Sequence, residues 1–324
     1  MCPFFCLTLI AVAVVGFLIW FVKKADADLT LLFYEKYGKS VDSLKGKVVW
    51  ITGASSGIGQ SVANSLASGG VKLALSGTSE ERLQETKNQC LASGKLTEED
   101  ILLVPFNISD FSIHEDCVKK VLDHFGTIDI LINNAGRTQR ASFEEIEIQV
   151  DRDMFDINVF GTVNLTRKVL PHFLAKGRGH LVVTSSVTGK LGVPWSASYT
   201  ASKHALHGYF ECLRAESSSS GIDVTMICPG PTFAQTLLSK AFTGKSGETF
   251  GGQQESNEKR MPTSRCAHLI SVAIANRVDE AWISLQPILF VFYLAQYTPT
   301  FFRSFLVKKF VTKERAAAWR EGQS

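Results

Sequence analysis

The chain has 324 residues, 45% of them hydrophobic, and a formal net charge of +3 at pH 7. This length and hydrophobic content suit one large α/β domain, whereas the small charge and the lack of a Lys/Arg block argue against a nucleic-acid partner. The seven cysteines are odd in number and show no CxxC spacing, which argues against a disulfide framework or a metal site.

The N-terminal segment is strongly apolar. Residues 4–22 carry no charge and are long enough to cross a hydrocarbon core of about 30 Å as a helix, so residues 1–24 are predicted to form a transmembrane anchor or signal-anchor. A cleaved signal peptide is the alternative, but no basic residue precedes the apolar run. Lys23 and Lys24 follow it, which favours a single-pass protein with the rest of the chain in the cytosol.

The central part of the chain alternates short β-branched runs with longer amphipathic ones. Residues 25–45 are predicted to be a connector along the membrane surface. Beyond it, the alternation predicts a single Rossmann-like, doubly wound parallel sheet of about seven strands over residues 46–286, with helices on both faces and its ligand at the carboxyl ends of the strands. Strands are expected over 47–53, 72–78, 101–108, 128–136, 180–186, 223–231 and 280–285, and helices over 57–70, 79–93, 111–125, 147–176, 197–219 and 263–277.

Two later segments differ from this pattern. Residues 232–262 are rich in Gly, Ser, Lys and Glu without a period, which predicts a mobile substrate loop, with a disordered insertion as the alternative. Residues 287–324 begin with an aromatic, apolar stretch that Gln296, Pro299 and Arg303 interrupt. We predict a segment in the membrane interface, and the alternative is a helix packed on the domain.

A glycine-rich turn stands between the first predicted strand of the sheet and the helix after it. Glycine allows a tight turn and a close approach of the backbone, and the N-terminus of the helix offers N–H groups to a pyrophosphate. The second strand ends at Thr78, without the acidic residue that would bind a ribose 2'-hydroxyl, which favours NADP(H) without excluding NAD(H). The turn residues predicted to bind the cofactor are Gly53, Ser55, Ser56, Gly57, Ile58 and Gly59.

Tyr199 and Lys203 are four residues apart, which places both on one face of a helix. The phenol could pass a proton to a carbonyl oxygen, and the ammonium is expected to lower the pKa of the phenol toward the operating pH. His204 and His207 are expected on other faces of this helix, as surface or core residues. Ser185 is expected to have a structural role.

Six features of the sequence form a set. They are TGASSGIG (52–59), NNAG (133–136), Asn158, Ser186, YTASK (199–203) and PG (229–230). Together they resemble the motifs of the short-chain dehydrogenase/reductase superfamily over roughly residues 45–285. The resemblance implies four catalytic residues, with Ser186 and Tyr199 also binding the substrate: Asn158, Ser186, Tyr199 and Lys203.

The same resemblance implies further cofactor contacts. Asn107 stands where the family often has an Asp beside adenine, and Asn134 and Ala135 would flank the adenosine ribose. Lys203 would bind the nicotinamide ribose beside Tyr199. Pro229 and Gly230 would turn the chain beside the nicotinamide, with Thr232 or Thr236 at its carboxamide, because the expected threonine is replaced by Ala234.

The expected function is an NADP(H)-dependent carbonyl reductase/alcohol dehydrogenase in the endoplasmic reticulum membrane, acting on lipophilic carbonyls such as retinals, steroid ketones or xenobiotic carbonyls. The alternatives are a 3-ketolipid reductase of the same superfamily and a non-catalytic, nucleotide-binding membrane scaffold. The expected partners are a small lipophilic carbonyl or alcohol, membrane lipid and a second copy of the chain in a homodimer.

Overall fold

The computed structural model describes residues 12, 14–17, 19–21, 23–233, 239–252 and 260–310. Most of the predicted anchor, residues 1–24, therefore lies outside the described residues, as do residues 311–324. Within the described ranges, no helix is both long and apolar enough to span a bilayer.

Seven parallel strands form one sheet in the order β3-β2-β1-β4-β5-β6-β7. The order reverses between β1 and β4, which opens a crevice at their carboxyl ends. The predicted doubly wound sheet is thus confirmed. The strands are β1 (Val48–Thr52), β2 (Lys72–Ser76), β3 (Ile101–Leu103), β4 (Ile130–Asn133), β5 (Gly179–Thr184), β6 (Ile222–Pro229) and β7 (Glu280–Ile283).

β3 is shorter than the predicted strand over residues 101–108. The backbone N–H groups of Val104 and Phe106 still donate to Leu75 and Gly77, but Pro105 between them has no N–H to donate. On this edge strand position 105 faces away from β2, so the missing N–H costs no bond to β2. The regular strand ends at Leu103, and the chain continues beside β2.

Helices cover both faces of the sheet. Apolar residues of α2, α3 and α8 pack on one face, and those of α4, α6 and α7 pack on the other. A π-helical turn, Asp156–Phe160, joins α5 to α6 within the predicted helix over 147–176. The helices are α1 (Leu29–Tyr37), α2 (Gly57–Ser68), α3 (Glu80–Leu91), α4 (His114–Phe125), α5 (Ile148–Phe155), α6 (Gly161–Lys176), α7 (Ala197–Glu216), α8 (Thr263–Ala275) and α9 (Ile288–Tyr297).

The central strands are buried on both faces. Val49 and Ile51 of β1 belong to one apolar cluster, and Trp50 between them belongs to the other. All three are fully buried. Covering both faces of a parallel sheet explains why its strands are continuous apolar runs in the sequence rather than alternating ones.

One face of the predicted connector, residues 25–45, packs on the domain. The carboxylate of Asp28 accepts hydrogen bonds from Leu31 N at 2.9 Å, where it caps α1, and from Trp282 N at 2.7 Å. Leu31 is fully buried in the core. The predicted membrane contact concerns the opposite face, where Phe33 and Tyr37 are exposed, and it stays a prediction.

An arginine ties this connector to α8. The guanidinium of Arg265 donates to both carboxylate oxygens of Asp26, at 2.8 and 3.0 Å, and to both of Glu35, the second at 3.0 Å. These three side chains are only partly exposed. Because planar, bidentate contacts between a guanidinium and a carboxylate are directional, they fix α1 against the domain.

The C-terminal aromatic segment also packs on the domain with one face, as in the alternative considered above. Phe292 of α9 is fully buried, and its ring lies 4.3 Å from that of Trp282 on β7. Short helical segments follow over residues 299–310. Tyr297, Phe301 and Phe305 stay exposed, so that membrane contact by this face remains a prediction.

The end of the N-terminal apolar segment meets α9. The rings of Phe21 and Tyr293 are in edge contact at 5.4 Å, and the side chain of Gln286 donates to the Phe21 carbonyl at 3.1 Å. Leu29 N donates to the Tyr293 hydroxyl at 3.3 Å. The two apolar segments of the chain therefore join beside β7.

We expect Arg265→Met to lower the free energy of unfolding by about 1–2 kcal/mol, because the partly buried carboxylates of Asp26 and Glu35 lose the guanidinium, although Glu35 keeps its contact with His268. The control is Lys95→Met, which breaks the exposed ion pair between Lys95 and Asp42 and is expected to change stability by less than about 0.5 kcal/mol. Urea unfolding of the detergent-solubilised protein measures both. Equal effects of the two variants would contradict the role given to Arg265.

Candidate active site

A large cleft of about 2040 Å³ opens at the carboxyl ends of the central strands. Its lining begins at the glycine turn after β1, passes the segments that follow β4, β5 and β6, and ends at α9 and residues 302–307. This is the end of the sheet where a doubly wound fold binds its ligand.

The glycine turn has the backbone geometry of a phosphate cradle. Gly53 and Gly57 adopt φ values of +67° and +58°, which favour glycine. Ser55, Ser56 and Ile58 line the cleft with them. A dinucleotide therefore fits at this turn, where the N–H groups that begin α2 would hold its pyrophosphate.

Gly59 has a different position from the other predicted turn residues, because it packs beneath the turn and does not line the cleft. An added Cβ at this residue would lie 2.2 Å from the carbonyl oxygen of Gly53 and 2.5 Å from Nδ2 of Asn134. The requirement for glycine is thus one of close packing.

Asn134 and Ala135 line the cleft and also brace the turn. The side chain of Asn134 donates to the carbonyls of Thr52 and Gly53, at 3.1 and 3.3 Å. The backbone N–H groups of Asn134 and Ala135 both donate to Thr52 Oγ1, at 3.0 and 3.1 Å. Thr52 therefore links β1 to β4, and the sequence analysis gave this residue no role.

The end of β2 meets the cleft through Thr78, and Asn107 lines the cleft close by. Asn107 Oδ1 accepts hydrogen bonds from the backbone N and the hydroxyl of Ser109, at 3.2 and 3.0 Å, so its carbonyl oxygen already has partners. Arg82, in the first turn of α3, also lines the cleft. The sequence analysis sought a basic residue only at the end of the strand and missed this one.

Lys203 is a buried cation beside Tyr199. Only 4% of its surface is exposed, and its ammonium donates to the carbonyl of Thr184 at 2.8 Å. The same nitrogen lies 5.7 Å from the centre of the Tyr199 ring. Burial lowers the pKa of Lys203 to about 8, because the charged form loses hydration that one carbonyl cannot replace.

The pKa of Tyr199 is raised above its ordinary value, the opposite of the direction predicted from the spacing to Lys203. Burial is the largest cause, and it outweighs the lowering effects of a hydrogen bond with Ser186 and of the charge on Arg140. The spacing could not reveal this, because burial depends on the walls of the cleft. The neutral phenol is therefore the prevailing form, with a proton available to donate.

Ser186 lies between the end of β5 and the nicotinamide side of the predicted cofactor site. Its hydroxyl accepts a hydrogen bond from Thr188 N at 3.2 Å and donates to the carbonyl of Pro229 at 3.4 Å. Ser186, Tyr199 and Lys203 all line the cleft. The structure thus brings these three predicted catalytic side chains to one wall.

Asn158 lies behind this wall, in the π-helical turn between α5 and α6, and is fully buried. Its side-chain oxygen accepts from Arg137 N at 2.8 Å, and its nitrogen donates to the carbonyl of Arg137 at 2.9 Å and to Ser202 Oγ at 3.0 Å. Asn158 therefore connects the segment after β4 to the helix of Tyr199 and Lys203. π-Helical turns are frequent at functional sites, and the sequence pattern did not reveal this one.

The segment after β6 closes the predicted nicotinamide end. Pro229, Gly230 and Thr232 line the cleft, and Thr232 Oγ1 donates to the carbonyl of Gly230 at 3.1 Å. An added Cβ at Gly230 would lie 2.1 Å from Ser284 Oγ, so only glycine fits here. Thr236, the alternative to Thr232, lies outside the described residues.

The described parts of the predicted substrate loop, residues 232–262, border the same cleft. Thr232 pairs with Met261 in a β-bridge, and Phe250 lines the cleft. Residues 234–238 and 253–259 of this loop lie outside the described residues. Its role as a mobile lid stays a prediction.

Comparison with known proteins decides the family. Residues 47–243 match the family model for the short chain dehydrogenases. The chain belongs to the short-chain dehydrogenase/reductase family. It is thus an NAD(P)-dependent oxidoreductase, as predicted, and the alternative of a non-catalytic scaffold is not supported.

Individual relatives of this family agree. The chain is 43% identical over 279 residues to dehydrogenase/reductase SDR family member 7 of Homo sapiens, covering 86% of this chain and 82% of that protein. It is 37% identical to dehydrogenase/reductase SDR family member 7B of Xenopus tropicalis, covering 84% and 88%. The sequences DLTLL at 28–32 and ICPGP at 227–231 resemble the first of these two relatives, in agreement with that comparison.

A solved structure of the family has the same fold. It is a short-chain dehydrogenase/reductase from Burkholderia phymatum, crystallised in complex with NAD. The TM-score is 0.68 and the identity 25%, covering 80% of this chain and 95% of that one. The resemblance in fold extends over nearly the whole bacterial enzyme.

The lowered pKa of Lys203 predicts a pH-dependent stability. Between pH 8 and 10.5 the unfolded chain holds a proton on this side chain that the folded protein has released, so the free energy of unfolding rises with pH in that window. The stability of the wild type relative to Lys203→Met should therefore increase by up to about 1.4 kcal/mol per pH unit. Urea unfolding at several pH values measures this difference, and parallel curves for the two proteins would refute it.

Proposed function

We propose that this enzyme interconverts lipophilic carbonyls and alcohols with NADP(H), at the surface of the endoplasmic reticulum membrane. One observation carries the proposal: the cleft continues from the nucleotide turn, past Tyr199, into an apolar end formed by the C-terminal segment. Retinals, steroid ketones and xenobiotic carbonyls are the substrate classes that we favour. A 3-ketolipid would use the same chemistry in the same apolar end.

The apolar end suits a substrate with a large hydrocarbon part. Burying apolar surface contributes roughly 25 cal/mol per Å², so a polycyclic or polyene body would gain several kcal/mol in this part of the cleft. The C-terminal residues that line it carry no charge. They are Ile288, Phe290, Val291, Leu294, Phe302, Leu306 and Val307.

Three side chains can carry out the proton transfer. Tyr199, held neutral by its raised pKa, donates its phenolic proton to the substrate oxygen during reduction and takes it back during oxidation. Ser186 donates a hydrogen bond to the same oxygen as negative charge develops on it. The glycine turn would hold a nicotinamide dinucleotide, which would supply the hydride in reduction and accept it in oxidation.

Lys203 acts beside the phenol. With a pKa of about 8 it is mostly charged at neutral pH, and a cation there stabilises the phenolate that forms once the proton has left. Asn158 contributes indirectly, because it fixes the segment at Arg137 against Ser202 and so holds the adjoining cleft wall. The family resemblance also implies that Asn158 holds a water that links Lys203 to bulk solvent, and this relay is part of our proposal.

The preference for NADP(H) is supported by the cation in α3. Arg82 lines the cleft in the first turn of the helix that follows Thr78, and it makes no salt bridge with a described carboxylate. A ribose 2'-phosphate at the end of β2 could accept a bidentate pair of hydrogen bonds from the guanidinium of Arg82. Thr78 and Ser79 add hydroxyl groups close by in the chain.

The membrane location is supported by two sets of exposed aromatic residues. The first is Phe33 and Tyr37 on α1, and the second is Tyr297, Phe301 and Phe305 in the C-terminal segment. Aromatic rings of this kind favour the headgroup region. We retain the single-pass topology with the domain in the cytosol, and a homodimer as the form of the enzyme.

Tyr199→Phe should remove nearly all NADPH-dependent reduction of all-trans-retinal and of a steroid ketone, a fall in kcat on the order of a hundredfold or more, because the proton donor is lost. The affinity for nucleotide should change little, since the variant keeps the ring. Steady-state kinetics and calorimetric titration with NADPH measure the two effects. Retained turnover would remove Tyr199 from this role, and a wild type that binds nucleotide but reduces no member of a broad carbonyl panel would refute the proposed function.

Arg82→Ala should raise the KM for NADPH about tenfold or more and leave the KM for NADH nearly unchanged, because one charge-assisted contact with the 2'-phosphate is lost. Lys87→Ala is the matched control: it removes a cation from the same helix outside the cleft lining. Its two KM values should stay at those of the wild type. A wild type that prefers NADH would contradict the proposal.

A further inference from the structure

A series of hydrogen-bonded polar side chains connects Lys203 to His207 through Ser185. His207 follows Lys203 by four residues on α7, so the two share one face of the helix, and the expectation that they lie on different faces was wrong. His207 is only 7% exposed. It does not line the cleft, so any effect on the reaction must pass through other residues.

His207 reaches Lys203 through Ser185. Nε2 of His207 lies 3.0 Å from Ser185 Oγ, and Ser185 Oγ donates to the backbone carbonyl of Lys203 at 3.2 Å. The ammonium of Lys203 in turn donates to the carbonyl of Thr184. Lys203 is therefore bound to the end of β5 twice, through its backbone carbonyl at Ser185 and through its ammonium at Thr184.

The number of available protons decides which group donates in each of these hydrogen bonds. A serine hydroxyl has one proton, so Ser185 cannot donate to both Lys203 and His207. If it donates to the Lys203 carbonyl, Nε2 of His207 must carry the proton that it donates to Ser185 Oγ. Nδ1 of His207 is then the nitrogen without a proton.

The surroundings of Nδ1 agree with a neutral ring. Among the described residues Nδ1 has no hydrogen-bond partner, since the nearest carboxylate oxygens, of Glu280 and Glu211, are 3.7 and 4.0 Å away. The ammonium of Lys190 lies 2.8 Å from Glu280 and 3.8 Å from Glu211, so these carboxylates already face a cation.

The charge balance around the ring also favours the neutral form. Burial, the charge on Lys190 and smaller effects of His204 and Arg214 lower the pKa of His207 to about 4, against the opposing charge of Glu280. Nε2, which contacts Ser185, also lies 3.7 Å from the thiol of Cys228. At neutral pH the histidine therefore has one N–H.

The contact between Ser185 and His207 is closely covered. An added Cβ at Gly189 would lie 2.5 Å from Ser185 Oγ and 3.0 Å from Nε2 of His207. The turn over residues 187–189 thus packs directly on the pair, and water has little room to replace either partner. A hydrogen bond shielded in this way holds its geometry more firmly than an exposed one.

We propose that His207 is a positioning residue for the proton transfer: its Nε2–H holds the Ser185 hydroxyl so that it donates to the Lys203 carbonyl, which fixes α7 against the end of β5. Tyr199 and Lys203 lie on that helix and Ser186 directly follows Ser185, so this contact sets the three side chains relative to one another. The proposal rests on the proposed function for its kinetic part, while the tautomer of His207 can be observed without turnover.

The tautomer is tested by nitrogen-15 NMR of histidine-labelled, full-length protein in detergent, with His207→Gln to assign the signal. We expect His207 to be neutral from about pH 6 to pH 8 and to carry its proton on Nε2. A proton on Nδ1, or a charged ring at pH 7, would overturn the arrangement. This measurement stands even if no carbonyl substrate is found.

Kinetics test the positioning role with two replacements of similar size. Glutamine can place its amide nitrogen near the position of Nε2 and donate to Ser185, whereas leucine cannot. We expect His207→Leu and Ser185→Ala each to lower kcat by about tenfold, with less change in the KM for the carbonyl, and His207→Gln to retain most of kcat. His204→Leu, an exposed neighbour on the same helix, is the control and should match the wild type.

The double variant separates positioning from general destabilisation. If both residues act through one hydrogen bond, Ser185→Ala with His207→Leu should have a kcat within about twofold of either single variant. Losses that multiply, a glutamine variant as slow as the leucine variant, or an equal loss in His204→Leu would overturn the proposal. A wild type that reduces no carbonyl would instead refute the proposed function.

Discussion

The burial of the Lys203 ammonium is the constraint on which the site depends. Only 4% of the surface of Lys203 is exposed, so its cation needs a hydrogen-bond acceptor at a fixed position. That acceptor is the Thr184 carbonyl at the end of β5, 2.8 Å from the ammonium. β5 and α7 must therefore meet in one register. Burial lowers the pKa of Lys203 and raises the pKa of Tyr199, so the pKa values of these two groups are shifted in opposite directions.

Topology brings the remaining parts of the site to this pair. Because the chain leaves β1 toward β2 and leaves β4 toward β5, in opposite directions across the sheet, the glycine turn and the segment after β4 meet at a crevice, and Thr52 joins the two through its hydroxyl. The π-helical turn at Asn158 then links that segment to Ser202 on α7. The cofactor end and the proton-transfer end are thus parts of one hydrogen-bonded framework.

Much of this arrangement could be predicted, because its signals are local in the sequence. The alternating runs gave the seven strands and their helices, and the turn glycines and the spacing of Tyr199 and Lys203 located the site. Arg82 was missed although it is local, because it lies one helical turn beyond the strand end where a basic residue was expected. The partner of His207 and the packing of α1 instead involve residues distant in the chain, Ser185 and Trp282. The direction of the Tyr199 pKa shift failed likewise, since a spacing carries no information on burial.

The junction between the two apolar segments has a practical consequence for the enzyme. Phe21 contacts Tyr293 on α9, and α9 also forms the apolar wall of the cleft. The end of the N-terminal apolar segment is therefore part of the support of the apolar end of the cleft. A fragment that begins at Leu29 would lack Phe21 and so lose this support. Its substrate selectivity would therefore differ from that of the intact protein.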